Sequence, residues 1–514
     1  MTKQTTSQSC GARPRRPRST FPDSLIGSLR TLDGSRTFLH RRLFERLKYA
    51  IVSGQIAAGT KLPSTRSLAA ELNISRNTIL TAYELLTGEN LVETLVGGGT
   101  TVKALSAKRI ASERQAHNLR SPNISPLDIE TSHTSTHGPF RVGIPAYDRF
   151  PFRAWNATII RCARAQAPEN LAYQVSRGHT ELRRLLAAYL LTRRGLRCDI
   201  EQIIIVPGYQ AGLTLAARTL LTPGDEACVE DPGHVPSRNA LRSLGLTVRP
   251  VPVDCEGMRT DLIPSLWPKA KLAVVTPVHQ FPLGMSLSLE RRRSIQSWAQ
   301  SSRAWIIEDD YDTEFHFAGN PPDSLADGTV DDRTIYIGTF SKVLFPSLRI
   351  AYIVVPRLLV EQFAMMRTTM DGHQPFFMQD VLARFIREGH FDRHLGRMRS
   401  LYRARQHALI SAISERAGGR IRPIRRNGGT HLAAFLNEHS DDVAFSEAAK
   451  GVGVDITPLS HFRIQPGVSG LVLGFSNCST EALNVAMHKL KDVLSSEHYP
   501  KRIANEPSTG HFPS

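Results

Sequence analysis

What most narrows the fold of this chain is an ordered series of apolar runs between residues 138 and 497, each closed by polar groups. The runs are Ile203-Ile204-Ile205-Val206, Ala227-Cys228-Val229, Leu272-Ala273-Val274-Val275, Trp305-Ile306-Ile307 and Thr334-Ile335-Tyr336-Ile337, with amphipathic helical stretches between them. Continuous apolar runs alternating with helices read as strands buried on both faces, the rhythm of an α/β fold with a mainly parallel sheet. In such sheets ligands collect outside the carboxyl ends of the strands. The residues that close each run are therefore the ones to read for chemistry.

Composition sets the class. At 514 residues the chain exceeds one ordinary core, so two or more domains are expected. Hydrophobic content of 41% and charged content of 22% are those of a soluble globular protein. A net charge of +17 keeps nucleic acid, phosphorylated ligands and acidic surfaces open as partners. The 6 cysteines are scattered without a Cys-x-x-Cys pair, which argues against a disulfide framework or a metal site and fits a reducing compartment. The start of the chain develops no apolar secretory signal, and no run approaches the roughly 20 residues of a membrane helix. A cytoplasmic protein without membrane contact is expected. Polar breaks divide the chain into a disordered basic arm (1–34), a compact first domain (35–105), a linker (106–137), a larger domain (138–497) and a flexible tail (498–514).

The first domain reads as three helices and a hairpin. Leu43, Leu47, Ala50 and Ile51 give a first helix one apolar face; Ser64 caps a second through Leu68, Ala69 and Leu72; Ser75 caps a third that starts at Arg76. On the third, Ile79, Ala82, Tyr83 and Leu86 must face the core, which leaves Asn77, Thr81 and Glu84 outward with Arg76 and Thr78 at the first turn. Arginine pairs with guanine, asparagine with adenine, and hydroxyls and a helix N-terminus with phosphate, so this helix suits a DNA major groove. Two short strands around Gly97-Gly98-Gly99, followed by Thr100, form a wing.

The residues Leu62-Pro63-Ser64-Thr65-Arg66-Ser67, Ser75-Arg76-Asn77-Thr78 and the glycine wing resemble the GntR family of winged helix-turn-helix regulators. The resemblance implies that Arg66, Ser75, Arg76, Thr78 and the wing at Gly98 and Thr100 contact double-stranded operator DNA, beside Asn77 and Thr81.

In the larger domain, Gly208-Tyr209-Gln210 opens a helix after the first run, a turn that offers free N–H groups to a phosphate. Later runs end in Glu230-Asp231-Pro232-Gly233-His234, Thr276-Pro277-Val278-His279-Gln280, Glu308-Asp309-Asp310-Tyr311 and Gly338-Thr339-Phe340-Ser341-Lys342, with Arg349 beyond. A lysine amine forms a Schiff base with an aldehyde, and a buried carboxylate keeps a pyridine nitrogen protonated. A tyrosine hydroxyl can hold a phenolic oxygen, and Ser341, Thr339, Gly208 and Arg349 would take a phosphate. Singly, Lys342 and Arg349 read as surface charges and Asp309 as a loop acid; the ordered set does not.

The segments around Thr276 to Gly284, Glu308 to Phe315 and Gly338 to Arg349 resemble MocR-type regulators, the GntR subgroup fused to a fold-type-I aminotransferase domain. The likeness runs from about 38 to 490. It implies pyridoxal 5'-phosphate as cofactor, with Lys342 the Schiff-base lysine, Asp309 the pyridinium partner, Tyr311 the phenolate contact, Arg349 a phosphate ligand and Gln280 beside the ring. It also implies a homodimer, a large sheet domain with a small C-terminal α+β domain, and a signal that is either pyridoxal phosphate itself or an amino acid or amine, sensed through a Schiff base at Lys342. Two positions depart from the family. His234 stands where relatives carry a ring-packing tyrosine. The strand Gly470-Leu471-Val472-Leu473-Gly474-Phe475-Ser476 lacks the arginine that holds a substrate carboxylate in transaminases; nearby Arg463 is a weak substitute. A working aminotransferase with an accessory DNA-binding domain is the alternative to a regulator.

Overall fold

The computed structural model describes residues 39–95, 99–104, 139–326, 332–437 and 440–495. The basic arm, the linker and the tail of the sequence reading lie outside the described residues, as does Gly98. The chain divides into two compact units, Met1–Ser125 and Pro126–Ser514.

In the first unit, α1 (Leu39–Val52), α2 (Thr65–Leu72) and α3 (Arg76–Gly88) precede the hairpin of β1 (Val92–Leu95) and β2 (Gly99–Val102). The amphipathic spacing has the expected result: Leu43, Leu47, Leu68, Ile79, Ala82 and Leu86 are all fully buried in one core. Sequence chemistry sets the helix boundaries. The Ser64 Oγ accepts from the Ser67 N–H at 3.1 Å and the Ser75 Oγ from the Thr78 N–H at 3.1 Å. Each such cap is worth about 1 kcal/mol. Asn73, in the left-handed region at φ 53°, ends α2 and turns the chain toward α3. The hairpin is antiparallel in the register Val92↔Val102 to Leu95↔Gly99.

In the second unit, α4 (Phe152–Arg164) and α5 (Thr180–Arg194) lead to β3 (Ile203–Val206), α6 (Tyr209–Leu220), β4 (Glu226–Asp231), α7 (Val235–Ser243), β5 (Thr247–Asp254), β6 (Gly257–Met258), β7 (Ala270–Val275), α8 (Leu289–Ser301), β8 (Trp305–Asp310), β9 (Thr334–Thr339) and β10 (Ala351–Val354). These strands form one eight-stranded sheet in the order β3-β10-β9-β8-β7-β4-β5-β6. Strands β9, β8, β7, β4 and β5 are mutually parallel. β10 runs antiparallel to both β3 and β9, so β3 points the same way as β9. The five sequence runs thus all end at one edge of the sheet. After α9 (Val360–Asp371), α10 (Phe376–Arg387) and α11 (His390–Arg416) comes a smaller antiparallel sheet. Its strands are β11 (Ile421–Pro423), β12 (His431–Leu436), β13 (Thr457–Pro458) and β14 (Gly470–Gly474), in the order β11-β12-β14-β13, with α12 (Asp442–Gly451) and α13 (Thr480–Ser495). Among the described residues no helix is long and apolar enough to cross a membrane.

Candidate functional site

Where the parallel strands end, a cavity of about 860 Å³ opens, within the range of small-molecule sites. Its lining includes Tyr209, Gln210, His234, Asp309, Tyr311, Thr339, Ser341, Lys342 and Arg349, drawn from segments far apart in sequence. Strand geometry decides which acid of Glu308-Asp309-Asp310 reaches it, because successive side chains on a strand point to opposite faces. Glu308 and Asp310 face Arg194 of α5, which holds them at 3.2 and 2.6 Å; Tyr336 adds a hydrogen bond to Asp310 at 2.5 Å and Ser324 one to Glu308 at 2.6 Å. Those two carboxylates are neutralised framework. Asp309 alone of the three lines the cavity.

Asp309 is buried and its Oδ1 has no hydrogen-bond partner, while the Tyr209 hydroxyl bonds to the carboxyl. Burial pushes the carboxyl well above the usual carboxylate range, and the neighbouring acids Glu230, Asp310 and Asp312 add to the shift. A cationic N–H donor would satisfy the orphaned oxygen and return the group to its ionised form. Behind it runs a chain of hydroxyls: Ser237 Oγ donates to the Tyr209 oxygen at 3.1 Å, and His234 Nδ1 meets Ser237 Oγ at 2.7 Å. With the serine proton spent on Tyr209, the histidine Nδ1–H must donate, leaving Nε2 as an acceptor. Burial, with the nearby Lys342 charge second, drives His234 down to about 3, so the ring is neutral at physiological pH. It meets Tyr209 and Phe281 edge-on rather than face to face. Tyr311 donates its hydroxyl proton to the His279 carbonyl at 2.7 Å, which leaves the oxygen's lone pairs for the cavity.

Lys342 Nζ donates to the Gly143 carbonyl at 3.0 Å. Gly143 has φ 77°, a conformation that favours glycine, and a Cβ there would stand 2.5 Å from that Nζ, so a larger residue would be strained and would displace the amine. At the opposite wall, α6 begins at Gly208 with φ 105° and ψ 168°, a conformation open essentially to glycine alone, and no side chain caps the helix. The Arg349 guanidinium lies directly over this N-terminus: a Cβ on Gly208 would come within 2.9–3.0 Å of it. Two positive features thus face each other, the helix N-terminus and an arginine, with the Thr339 and Ser341 hydroxyls, 3.1 Å apart, on the same lining. Such a seat fits a phosphate dianion. A lysine amine, an acid that wants a cationic ring N–H and a phosphate cradle together fit pyridoxal phosphate.

Gln280 is placed differently from the other sequence candidates. It is absent from the cavity lining, and its amide ties Glu230, the Pro232 carbonyl and the Phe281 carbonyl together, so it braces the loop beneath the ring site. Arg463 packs against Gly467 near Asp231 and is likewise not on the lining. The sequence reading missed Arg141, Gly143, Ser237, Thr430 and His431. The pair Gly428-Gly429 before Thr430 was a readable sign of close packing, since a Cβ on Gly428 would strike the His279 ring.

In the first unit, Arg66, Ser75, Arg76 and Asn77 are exposed, and Thr78, Thr81 and Thr100 half-buried. The Ser75 and Thr78 hydroxyls lie 2.9 Å apart at the start of α3, and Arg76 Nε reaches Thr65 Oγ1 at 3.4 Å, so α2 and α3 present their N-terminal turns together. Thr100 Oγ1 pairs with Thr94 Oγ1 across the hairpin at 3.2 Å. Tyr83 faces inward and donates to the Pro63 carbonyl at 3.0 Å, locking the helix-turn-helix.

Comparison with known proteins bears on both units. Residues 39–102 match the family described as bacterial regulatory proteins, gntR family, and residues 139–490 match aminotransferase class I and II. The chain is 34% identical to the probable rhizopine catabolism regulatory protein MocR of Rhizobium meliloti, over 89% of this chain and 94% of that protein. It is 32% identical to the pyridoxine biosynthesis transcriptional regulator PdxR of Corynebacterium glutamicum, over 89% of this chain and 96% of that one. The crystal structure of Pyrococcus horikoshii kynurenine aminotransferase superposes with a TM-score of 0.66 at 24% identity, over 76% of this chain and 99% of the enzyme, which shows the shared fold.

Proposed function

The chain belongs to the MocR-type regulators, pyridoxal-phosphate-dependent transcription factors that join a GntR-type DNA-binding domain to an aminotransferase-like domain, and on that premise we propose that Lys342 is its sensing group. When bound, the cofactor supplies an aldehyde carbon able to exchange its lysine for another primary amine. The protein's own residues do the rest. Arg349, the α6 N-terminus, Thr339 and Ser341 hold the phosphate; Asp309 takes the ring N–H; Tyr311, with its hydroxyl proton turned from the His279 carbonyl into the cavity, holds the phenolic oxygen; Gly143 positions the lysine nitrogen.

The observation that carries this reading is the unpartnered, buried Asp309 Oδ1 in the same cavity as Lys342 and the Arg349–Gly208 seat. The signal is either pyridoxal phosphate itself or an amino compound, and it alters how the DNA-binding domains engage operator half-sites. We place the protein in the cytoplasm as a homodimer. In support of self-association, Leu171, Tyr173 and Val175 are 82%, 97% and 56% exposed along one short segment. Sedimentation showing a monomer at micromolar concentration would remove the dimer.

The purified protein should show a visible absorption band that Lys342→Ala abolishes, and amines that shift the band should also shift operator affinity. A band retained by Lys342→Ala, or operator binding and transcription in vitro indifferent to every amine that changes the spectrum, would end this reading.

A further inference from the structure

Past the cofactor cradle, the cavity is walled by the segment entering the described part of the unit at Phe140 and by the smaller sheet. Five cationic side chains line it: Arg141, Arg238, Lys342, Arg349 and Lys450. Lys342 and Arg349 serve the cofactor. Arg238 donates to the Arg463 and His461 carbonyls at 3.2 and 3.4 Å, and Lys450 is exposed. Arg141 has a different setting. Its side chain is only 7% exposed, and its ion pair with Asp455 is long, 3.8 Å, to a carboxylate that is itself 38% exposed. Both groups are on the cavity lining, so a ligand carboxylate can share the guanidinium with Asp455, and the planar fork suits it.

The placement of Arg141 follows from β14. The Gly474 N–H donates to the Phe140 carbonyl at 2.9 Å, and Ser476 Oγ donates to the Ile144 carbonyl at 2.6 Å. A side chain at Gly474 would collide with the Arg141 carbonyl. The entering segment is therefore pinned to the strand whose own sequence carries no arginine, with Gly143 and its bond to Lys342 close behind. A second group on the same lining is unsatisfied. His431 Nε2 donates to the Pro282 carbonyl at 3.2 Å, which leaves its Nδ1 a buried lone pair without a partner. An unpaired buried acceptor asks for an N–H donor.

We propose that Arg141 and His431 form a recognition pair for amino carboxylates, the carboxylate on the Arg141 guanidinium and the incoming amine's N–H on His431 Nδ1. The inference rests on the cofactor reading above and narrows the effector class from any amine to an amine bearing a carboxylate.

The test is a spectral titration of the full-length, cofactor-loaded protein with paired probes, alanine against ethylamine and 4-aminobutanoate against propylamine, each half-saturation expressed as the concentration of unprotonated amine. At least one carboxylate should half-saturate the spectral change at about tenfold lower concentration than its amine, the scale of one charge-assisted contact. Arg141→Gln should erase that advantage while leaving the amine's half-saturation within about twofold, and Arg141→Lys should restore part of it. Wild-type protein that prefers neither carboxylate, or an Arg141→Gln variant that keeps the preference, overturns the proposal; the wild-type comparison decides even if the variants fold poorly. A wild type with no visible band sinks the cofactor reading and this inference together, whereas a normal band without discrimination sinks this inference alone.

Discussion

Two helices of this protein begin in opposite ways. α3 in the first unit starts at Ser75, whose hydroxyl accepts the Thr78 N–H, so the helix satisfies its own first turn. α6 in the second unit starts at Gly208 with no side-chain cap, and the nearest side chain is a cation, Arg349. A capped terminus beside exposed Arg76 and Asn77 is a finished scaffold that presents side chains. An uncapped terminus under an arginine is electrostatically incomplete until an anion arrives. On the proposed reading the same backbone feature serves display in one unit and capture in the other.

The contrast is sharpest at Gly208. Gly208→Ala forces a side chain into a glycine-only conformation and against Arg349, and should weaken cofactor binding about a hundredfold, or about 3 kcal/mol. Titration of apoprotein with pyridoxal phosphate measures it; affinity within threefold of wild type would mean the phosphate sits elsewhere. Arg76→Ala should cost about 1–3 kcal/mol of operator affinity if the side chain reads a base, with the cofactor spectrum unchanged. Unaltered affinity and salt dependence would take Arg76 out of the DNA contact.

A pH test probes the capture site from another side. His234 is held at about 3 in the folded protein but titrates near its ordinary 6.5 when unfolded. Between those values the unfolded chain binds the extra proton, so stability from this group is complete above about 6.5 and falls as pH drops toward 3. At pH 5 the loss is about 2 kcal/mol. Urea unfolding of apoprotein at pH 7.5 and 5 should therefore show wild type losing about 2 kcal/mol more than His234→Gln, since other buried groups cancel in the difference. Parallel losses would mean the imidazole is not buried neutral. The smallest effect belongs to the capped helix: Ser75→Ala should destabilise the first unit by about 1 kcal/mol and leave cofactor affinity untouched, as calorimetry and the titration would report. A shift in cofactor affinity would show that the two helix starts are not separate devices.

The first unit was legible almost residue by residue, because its caps, its apolar stripe and its hairpin are local patterns. The cavity residues that close strands were legible for a related reason: β4, β8 and β9 each deliver their last side chains to one sheet edge. Two kinds of information were not. The sequence Glu308-Asp309-Asp310 offers three acids to the site, and only the pleat, with Arg194 waiting on the far face, admits one of them. Arg141 and His431 come from segments with no chemical signature, and both are carried to the cavity by pairing with β14, where Phe140 and His431 each stand opposite Gly474. Gln280 stood in a telling motif yet serves its loop, because three nearby acceptors claim its amide.

The hydrogen bond from Lys342 to Gly143 has a mechanical side. An ammonium carries three protons, but a nitrogen committed to a carbon–nitrogen double bond keeps at most one. Loading and unloading the lysine would therefore change how many protons it can offer the Gly143 carbonyl. A bond made in the cavity would thus be felt first by the backbone around Gly143, two residues from Arg141 and three from Phe140, whose carbonyl is tied to β14.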